Sequence, residues 1–314
     1  MNKKIHLPHL DDFLLELQVD NKSEETIYNY KRDLEVFENF LNDIGEEFDK
    51  INKRTILNYK AYLSSIDRKT PKGKGKIKKL SSISINRMLS ALRSYLNFLL
   101  KIDYKVPVPP SSIELVKVEK KIPKIGEFEQ ILKLLEAPTK LERNKKIAIR
   151  NRVILEMIFA TGVRISELVN IKISDIDKEG RIYIKGKGKK ERFVYLTERA
   201  KKYLSEYFKI RKDSSPFLFV PLKGKNVKEK LKKISTNYIQ YKIKRYREIL
   251  GLNIPITPHG LRRAFATFLA ESGASPAAIQ ILLGHESLNT TTRYVRPSDR
   301  YAEKEFKKYH PLKK

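Results

Sequence analysis

The residues best suited to chemistry are a tyrosine, two histidines and a few arginines in the second half of the chain. Tyr294 ends the stretch HESLNTTTRY, which begins nine residues earlier at His285. A tyrosine hydroxyl has an unperturbed pKa of about 10, so it becomes a nucleophile only beside a base and a cationic group. The sequence must therefore supply a base and cations that fold toward Tyr294.

The stretch TPHGLRRAFATFLAESG predicts a helix that carries two such groups, with Thr257 as N-cap and Gly273 past its end. His259 and Arg262 are three residues apart and share a face near the helix N-terminus, where free N–H groups favour an anion such as phosphate. The alternative for His259 is a capping or surface role. The opposite, buried stripe is expected to comprise Leu261, Phe265, Phe268 and Leu269.

Two further cations stand in short motifs. Arg164 lies in TGVRISEL between two apolar residues, so we expect it to be partly buried and to pair with Glu167. A purely structural ion pair remains the alternative. Lys187 lies in the glycine-rich turn IKGKGKK, where a lysine is ordinarily exposed to solvent, so its signal alone is weak.

Several other kinds of site are absent from the sequence. The chain has no cysteine, so disulfides, thiolate nucleophiles and cysteine-based zinc sites are excluded. It contains no GK[ST] for an ATP-binding P-loop, HESLN is not the HExxH zinc motif, and there is no GxSxG elbow. We expect neither a cofactor nor a metal.

The charge balance points to a polyanion. The 314 residues include 66 Lys+Arg against 37 Asp+Glu, a formal net charge of +29. Such an excess favours nucleic acid as the partner, although a solvated basic surface of the thermophilic kind is the alternative. No apolar run approaches the ~18 residues of a membrane span, and the N-terminus does not match a signal peptide. A cytoplasmic protein is expected.

The first hundred residues predict four helices, and the second of these opens at Ser23 and ends at Gly45. A basic loop, DRKTPKGKGKIKKL, separates the last two helices and is expected to contact phosphates, with a disordered surface loop as the alternative. Four prolines within 102–123 mark a domain boundary. The predicted DNA-binding residues of this half are Lys72, Lys74, Lys76, Lys78, Lys79, Arg87 and Arg93.

The second half predicts further helices and one hairpin, formed by RIYIK and ERFVYL around GKGKK. A long helical segment is expected over 228–251, in KEKLKKISTNYIQYKIKRYREILG. The fold class is therefore mainly α with a small β-sheet. We predict a helical domain at 1–105, a linker at 106–123 and a second domain at 124–314.

Taken together, ATGVRISEL, IKGKGKKERFVYL, TPHGLRRAFATFLAESG and LLGHESLNTTTRY resemble, in order and spacing, the tyrosine recombinase family of Xer recombinases and phage integrases. These motifs span about residues 147–296. The N-terminal helices look like the family's SAM-like core-binding domain. One departure is Arg263, where relatives often have histidine.

The resemblance implies a role for each matched residue. Tyr294 would be the nucleophile, Arg164 and Arg262 would clamp the scissile phosphate, and Glu167 would support the active-site arginine and histidine. His259 would act as acid and base, His285 would hydrogen-bond the phosphate, and Lys187 would protonate the leaving oxygen, although Lys185, Lys189 and Lys190 compete for that position. One phosphate ester replaces another, so the chemistry implies neither ATP nor a metal.

The resemblance also implies partners and leaves alternatives open. The expected substrate is double-stranded DNA with paired half-sites, bound by a homotetramer. The helix expected after Pro297 would dock on a neighbouring subunit or fold back on its own domain. An Xer-like resolver of replicon multimers is favoured over a mobile-element integrase, a nicking-closing topoisomerase and a catalytically silent DNA-binding regulator.

Overall fold

The computed structural model describes residues 4–65, 79–118, 126–186, 191–223, 227, 232–253 and 256–284. The chain divides into two compact units, Met1–Lys121 and Ile122–Lys314. Both are built mainly of helices, and the second also contains a two-stranded hairpin, so the fold class predicted from the sequence is confirmed. Within the described ranges, no helix combines the length and apolarity that crossing a membrane requires.

The described residues of the first unit form four α-helices, and three of them begin at polar caps. The Oγ of Ser23 accepts the N–H of Thr26 at 3.2 Å, and Gly45 ends the same helix at a φ of +68°. Asn52 and Ser81 cap the next two helices in the same way. These caps satisfy N–H groups that have no partner inside the helix. The helices are α1 (Leu10–Val19), α2 (Glu24–Ile44), α3 (Lys53–Ser64) and α4 (Ser82–Lys101).

An aromatic and aliphatic core holds this first unit together. The rings of Phe37 and Tyr59 meet edge to face with centroids 4.8 Å apart. Val108 and Ile113, in the proline-rich segment, are buried in the same core, so this segment packs on the first unit at least that far. The division into domains at 1–105 and 124–314 with a linker between them stays a prediction.

The second unit is organised around one buried helix, α6. Its side chains from Ile147 to Ile158 are all buried, including four polar ones, and it packs against α5, α8 and α10. The elements of this unit are α5 (Phe128–Leu141), α6 (Lys145–Thr161), α7 (Ile165–Leu168), β1 (Arg181–Lys185), β2 (Glu191–Tyr195), α8 (Glu198–Ile210), α9 (Thr236–Ile249), α10 (Pro258–Glu271) and α11 (Pro276–Leu283).

The predicted hairpin is present as the antiparallel pair β1 and β2. In its register Ile182 faces Val194 and Ile184 faces Arg192, and all four side chains are buried. Alternate residues point outward, as the period of two requires. β2 packs against α11 and α6, so the hairpin is fixed on the unit through its inner face.

One element differs from the sequence prediction. The long helix expected over 228–251 begins only at Thr236, because Ser235 caps it by accepting the N–H of Tyr238 at 3.2 Å. Just before the cap, the N–H of Ile234 bonds to the carbonyl of Phe219 at 2.9 Å. This segment pairs with the extended run PFLFV, and that pairing is incompatible with a helix there. Residues 228–231 lie outside the described residues.

The turn after α6 brings two later elements together. Gly162 ends α6 at a φ of +62°, and a Cβ atom at this position would collide with the Phe265 ring on α10. Only glycine fits both the left-handed backbone and the close approach. The turn therefore places Arg164 close to α10.

Candidate active site

Glu167 is the centre of the candidate site. Its Oε2 accepts the backbone N–H of Arg164 at 2.8 Å, which caps the short helix α7. Its Oε1 accepts Nη1 of the same arginine, also at 2.8 Å. The pairing expected from the TGVRISEL motif is therefore present. The Arg164 side chain is 41% exposed whereas that of Glu167 is 6% exposed, so the arginine reaches solvent from a buried anchor.

A second arginine, not singled out in the sequence, shares this carboxylate. Arg192 on β2 donates to both oxygens of Glu167, from Nη1 at 3.1 Å and from Nη2 at 2.7 Å. Such bidentate pairing is the strongest form of ion pair between an arginine and a carboxylate. The signal that would have found it is the strand alternation, because Arg192 occupies the inward face two residues before Val194.

Arg262 on α10 lies in the same cluster but is not on an open polar face. Its Nη1 donates to the carbonyl of Gly162 at 2.7 Å and its Nη2 to the carbonyl of Leu283 at 2.6 Å. Arg262 is 3% exposed, whereas His259, three residues earlier on the same helix, is exposed. The guanidinium therefore links the turn at Gly162 to the end of α11 at Leu283.

The apolar stripe expected on α10 is also only partly confirmed. Leu261 is fully buried, but Phe265, Phe268 and Leu269 are half-buried. The alanines of the helix take the more buried positions instead, since close helix packing favours small side chains there. These alanines are Ala264, Ala266 and Ala270.

Three arginines meet at the carboxyl end of α11. The consecutive carbonyls of Leu282, Leu283 and Gly284 accept hydrogen bonds from Arg192 at 2.9 Å, Arg262 at 2.6 Å and Arg164 at 3.2 Å respectively. Last-turn carbonyls have no partner inside a helix and carry the negative end of its dipole, so cations stabilise them. The cluster thus fixes the helix end that directly precedes His285.

The charge state of Glu167 follows from these contacts. Burial raises the pKa of its carboxyl group, but hydrogen bonds from the Arg192 side chain and the Arg164 backbone outweigh burial and leave the pKa below its ordinary value. Arg262 adds a third cation, with Nη1 4.0 Å from Oε2. Glu167 is therefore an anion at neutral pH and offsets the repulsion among the three guanidinium groups.

His259 lies at the start of α10, near the same cations. Partial desolvation, followed by the charges of Arg263, Arg262 and Arg164, lowers the pKa of its imidazole. The ring is therefore neutral at pH 7 and can accept a proton. A bound anion would offset the neighbouring charges and raise the pKa again.

Three residues of the predicted site lie outside the described residues: Lys187, His285 and Tyr294. So do the loop lysines Lys72, Lys74, Lys76 and Lys78 and the tail helix expected after Pro297. The described neighbours of two of them are placed, since β1 ends at Lys185 and α11 ends at Leu283.

The remaining predicted DNA-binding residues belong to the first unit. Lys79 is exposed. Arg87 places Nη1 2.5 Å from Oδ2 of the buried Asp33, although its side chain is 41% exposed. Arg93 donates to the carbonyl of Ile113. Both arginines therefore already bind groups of their own unit, and their contact with DNA stays a prediction.

Comparisons of the sequence cover both units. Residues 126–300 match the model of the phage integrase family, and residues 10–102 match that of the phage integrase N-terminal SAM-like domain. The chain is 34% identical over 316 residues to tyrosine recombinase XerC of Staphylococcus aureus, covering 98% of each protein. It is 30% identical over 311 residues to tyrosine recombinase XerD of Staphylococcus epidermidis, covering 96% of this chain and 98% of that protein.

A solved structure shows the same fold. XerH site-specific recombinase, bound to its difH substrate in a pre-cleavage complex, superimposes with a TM-score of 0.70. The match covers 97% of this chain and 85% of that one, at 23% sequence identity. Similarity at this level extends to the arrangement of the helices and the hairpin.

Proposed function

The chain belongs to the phage integrase family of tyrosine recombinases, and we propose that it recombines specific DNA sites through a 3′-phosphotyrosyl intermediate at Tyr294. The observation that supports this most directly is the cluster around Glu167. It joins two arginines of the family motifs to the end of α11, and His285 and Tyr294 follow in the chain.

The proposed reaction is a transesterification. The Tyr294 oxygen attacks the scissile phosphorus, its proton passes to a base, and the bond from phosphorus to the 5′ oxygen breaks. A proton from Lys187 neutralises the leaving 5′ oxygen, and such general-acid assistance typically contributes about a hundredfold to ten-thousandfold in rate. Religation reverses these steps with the 5′ hydroxyl of another strand, so neither ATP nor a metal enters the balance.

The described residues suit the cationic part of this reaction. Arg164 is anchored by Glu167 yet partly exposed, so its planar guanidinium can meet phosphate oxygens as their charge grows in the transition state. The lowered pKa of His259 keeps its ring neutral, so that one ring nitrogen is free to accept a proton before phosphate arrives. Arg262 would complete the clamp from its buried position, and His285 would donate a hydrogen bond to the phosphate.

We further propose the partners and the cellular role. The substrate is double-stranded DNA in the cytoplasm with two half-sites, and recombination of two such sites requires four protomers. The tail helix after Pro297 would link neighbouring protomers. Similarity to XerC and XerD over nearly the full chain favours resolution of replicon multimers, and hence chromosome segregation, over integration of a mobile element.

The test combines selection with covalent capture. DNA that the full-length protein binds and cleaves is selected from a random library, and the selected site is rebuilt with a nick beside the cleavage position. The wild-type protein should become covalently attached to the 3′ phosphate in the presence of EDTA and without nucleotide. Tyr294→Phe should bind the same DNA without attachment. An adduct at the normal rate in Tyr294→Phe would refute the nucleophile, and DNA binding without cleavage by the wild type would favour a silent regulator.

A further inference from the structure

Arg192 occupies a buried position of β2, on the hairpin face where the other side chains are apolar. It lies on the inner face of the hairpin with Ile182, Ile184 and Val194, and its own side chain is 7% exposed. An apolar residue there would continue the core without desolvating a charge. A buried ion pair is weak evidence for a role in stability, since apolar replacements are often as stable. The arginine therefore calls for another explanation.

The contacts of Arg192 connect three separate elements. From β2 it donates to both oxygens of Glu167 on α7, and its Nε donates to the carbonyl of Leu282 at the end of α11 at 2.9 Å. Gly284 leaves room for this approach, because a Cβ atom there would lie 3.0 Å from Nη1 of Arg192. The guanidinium spans Glu167 and α11 and fixes the distance between them.

Glu167 and the end of α11 are also the acceptors of Arg164 and Arg262. We propose that Arg192 is a positioning residue for recombination: it sets the orientation of the two phosphate-clamping arginines through Glu167 and α11, without itself contacting DNA. The inference rests on the proposed function, since it assigns a supporting group to the same site.

Two substitutions distinguish the positive charge of Arg192 from its set of hydrogen-bond donors. Arg192→Lys keeps the positive charge but cannot bond both carboxylate oxygens and Leu282 together. Arg192→Met keeps most of the volume and removes every donor. Both variants should retain DNA affinity, while the single-turnover rate of covalent attachment at saturating DNA falls by roughly 10- to 100-fold, as for other groups that orient a catalytic residue.

Arg181→Lys is the matched control. Arg181 lies on β1 of the same hairpin and pairs with a carboxylate, with its Nε 2.5 Å from Oδ2 of Asp177, but its side chain is 51% exposed. The same substitution there should leave the cleavage rate unchanged. Circular dichroism melting of each variant identifies any that fail to fold; Arg192→Lys, the more conservative change, is the deciding variant.

A change of substrate distinguishes positioning from a general structural loss. A methylphosphonate at the scissile position carries one negative charge fewer than the natural phosphate, so it depends less on the arginine clamp. The deficit of Arg192→Lys relative to wild type should therefore shrink on the methylphosphonate. An equal deficit on both substrates, or no deficit on either, would overturn the inference. Failure of the wild type itself to attach would instead refute the proposed function.

Discussion

Each unit of the molecule buries a carboxylate against arginine, and the two sites differ in charge. In the first unit, burial raises the pKa of Asp33 despite the nearby charges of Arg87 and Arg32. In the second unit, hydrogen bonds and charges outweigh burial, and the pKa of Glu167 is lowered. The side chains are similarly inaccessible, at 1% and 6% exposure.

The difference lies in the number and geometry of the donors. Asp33 meets one nitrogen of Arg87 at 2.5 Å, and the nearest nitrogen of Arg32 is 4.0 Å away. Glu167 receives two bonds from Arg192 and two from Arg164, one of them from the backbone. Donor geometry, more than depth of burial, thus decides whether a buried carboxylate stays ionised. A fixed anion is what a cluster of phosphate-binding arginines requires.

Removing the Glu167 carboxylate should lower the stability of the second unit more than any other substitution proposed below. Glu167→Ala leaves Arg192 buried without its carboxylate, so the free energy of unfolding of the second unit should fall by about 3–5 kcal/mol. Hydrogen exchange followed by mass spectrometry on the full chain measures this unit by unit. Asp177→Ala, which removes the partner of the half-exposed Arg181, should lower the free energy of unfolding far less, because solvent screens that pair. Equal losses in the two variants would mean that Glu167 stabilises the unit no more than a surface carboxylate does.

Arg262 and Arg164 should contribute differently to the stability of the second unit. Arg262→Ala removes the donor to two carbonyls, of Gly162 and Leu283, and each buried acceptor left unpaired costs about 1–3 kcal/mol. Arg164→Ala should cost less, because that side chain is half-exposed and water can replace it. Urea denaturation compares the two variants. A larger decrease in stability for Arg164→Ala would show that the bonds from Arg262 to Gly162 and Leu283 do not stabilise the unit as expected.

Local signals in the sequence predicted much of this structure. Ser23, Gly45, Gly162 and Thr257 mark helix ends because their side chains or their backbone freedom act within one turn. The pair of Arg164 with Glu167 is predictable for the same reason, since the two residues are three apart.

Contacts between distant segments could not be predicted from the sequence. The burial of Arg262 depends on carbonyls 100 and 21 residues away, and the bonds of Arg192 reach across 25 and 90 residues. The hydrophobic periodicity of a helix or strand does not show which distant residues pair. The late start of the helix predicted over 228–251 has the same origin, because Ile234 pairs with Phe219.

The two carboxylates should respond to pH with opposite signs. Because its pKa is raised above the ordinary 3.8, Asp33 favours folding increasingly as the pH falls through that raised value. Because its pKa is lowered below the ordinary 4.5, Glu167 gives its full contribution above pH 4.5 and loses it as the pH falls through the lowered value. Unfolding measured against Asp33→Asn and Glu167→Gln isolates each group. Slopes of the same sign would show that the pKa values of the two carboxylates are shifted in the same direction by folding.

The smallest effect concerns DNA affinity in the first unit. Replacing Lys72, Lys74, Lys76 and Lys78 with glutamine should weaken binding and flatten its salt dependence, by roughly one unit of slope for each phosphate that a lysine no longer neutralises. Arg87→Lys, which keeps the charge beside Asp33, is the control and should leave the slope unchanged. A loop variant with unaltered affinity and slope would show that these lysines do not bind phosphate.

We expect the anion at Glu167 to organise the arginines that act on the scissile phosphate. Single-turnover covalent attachment at saturating DNA tests it directly, with Glu167→Gln compared to Asp33→Asn. Both changes replace a carboxylate by an amide of nearly the same shape. We expect Glu167→Gln to bind DNA and attach roughly 10- to 100-fold more slowly than wild type, and Asp33→Asn to attach at the wild-type rate. Attachment by Glu167→Gln at the wild-type rate would show that the arginines act on the phosphate without the Glu167 anion.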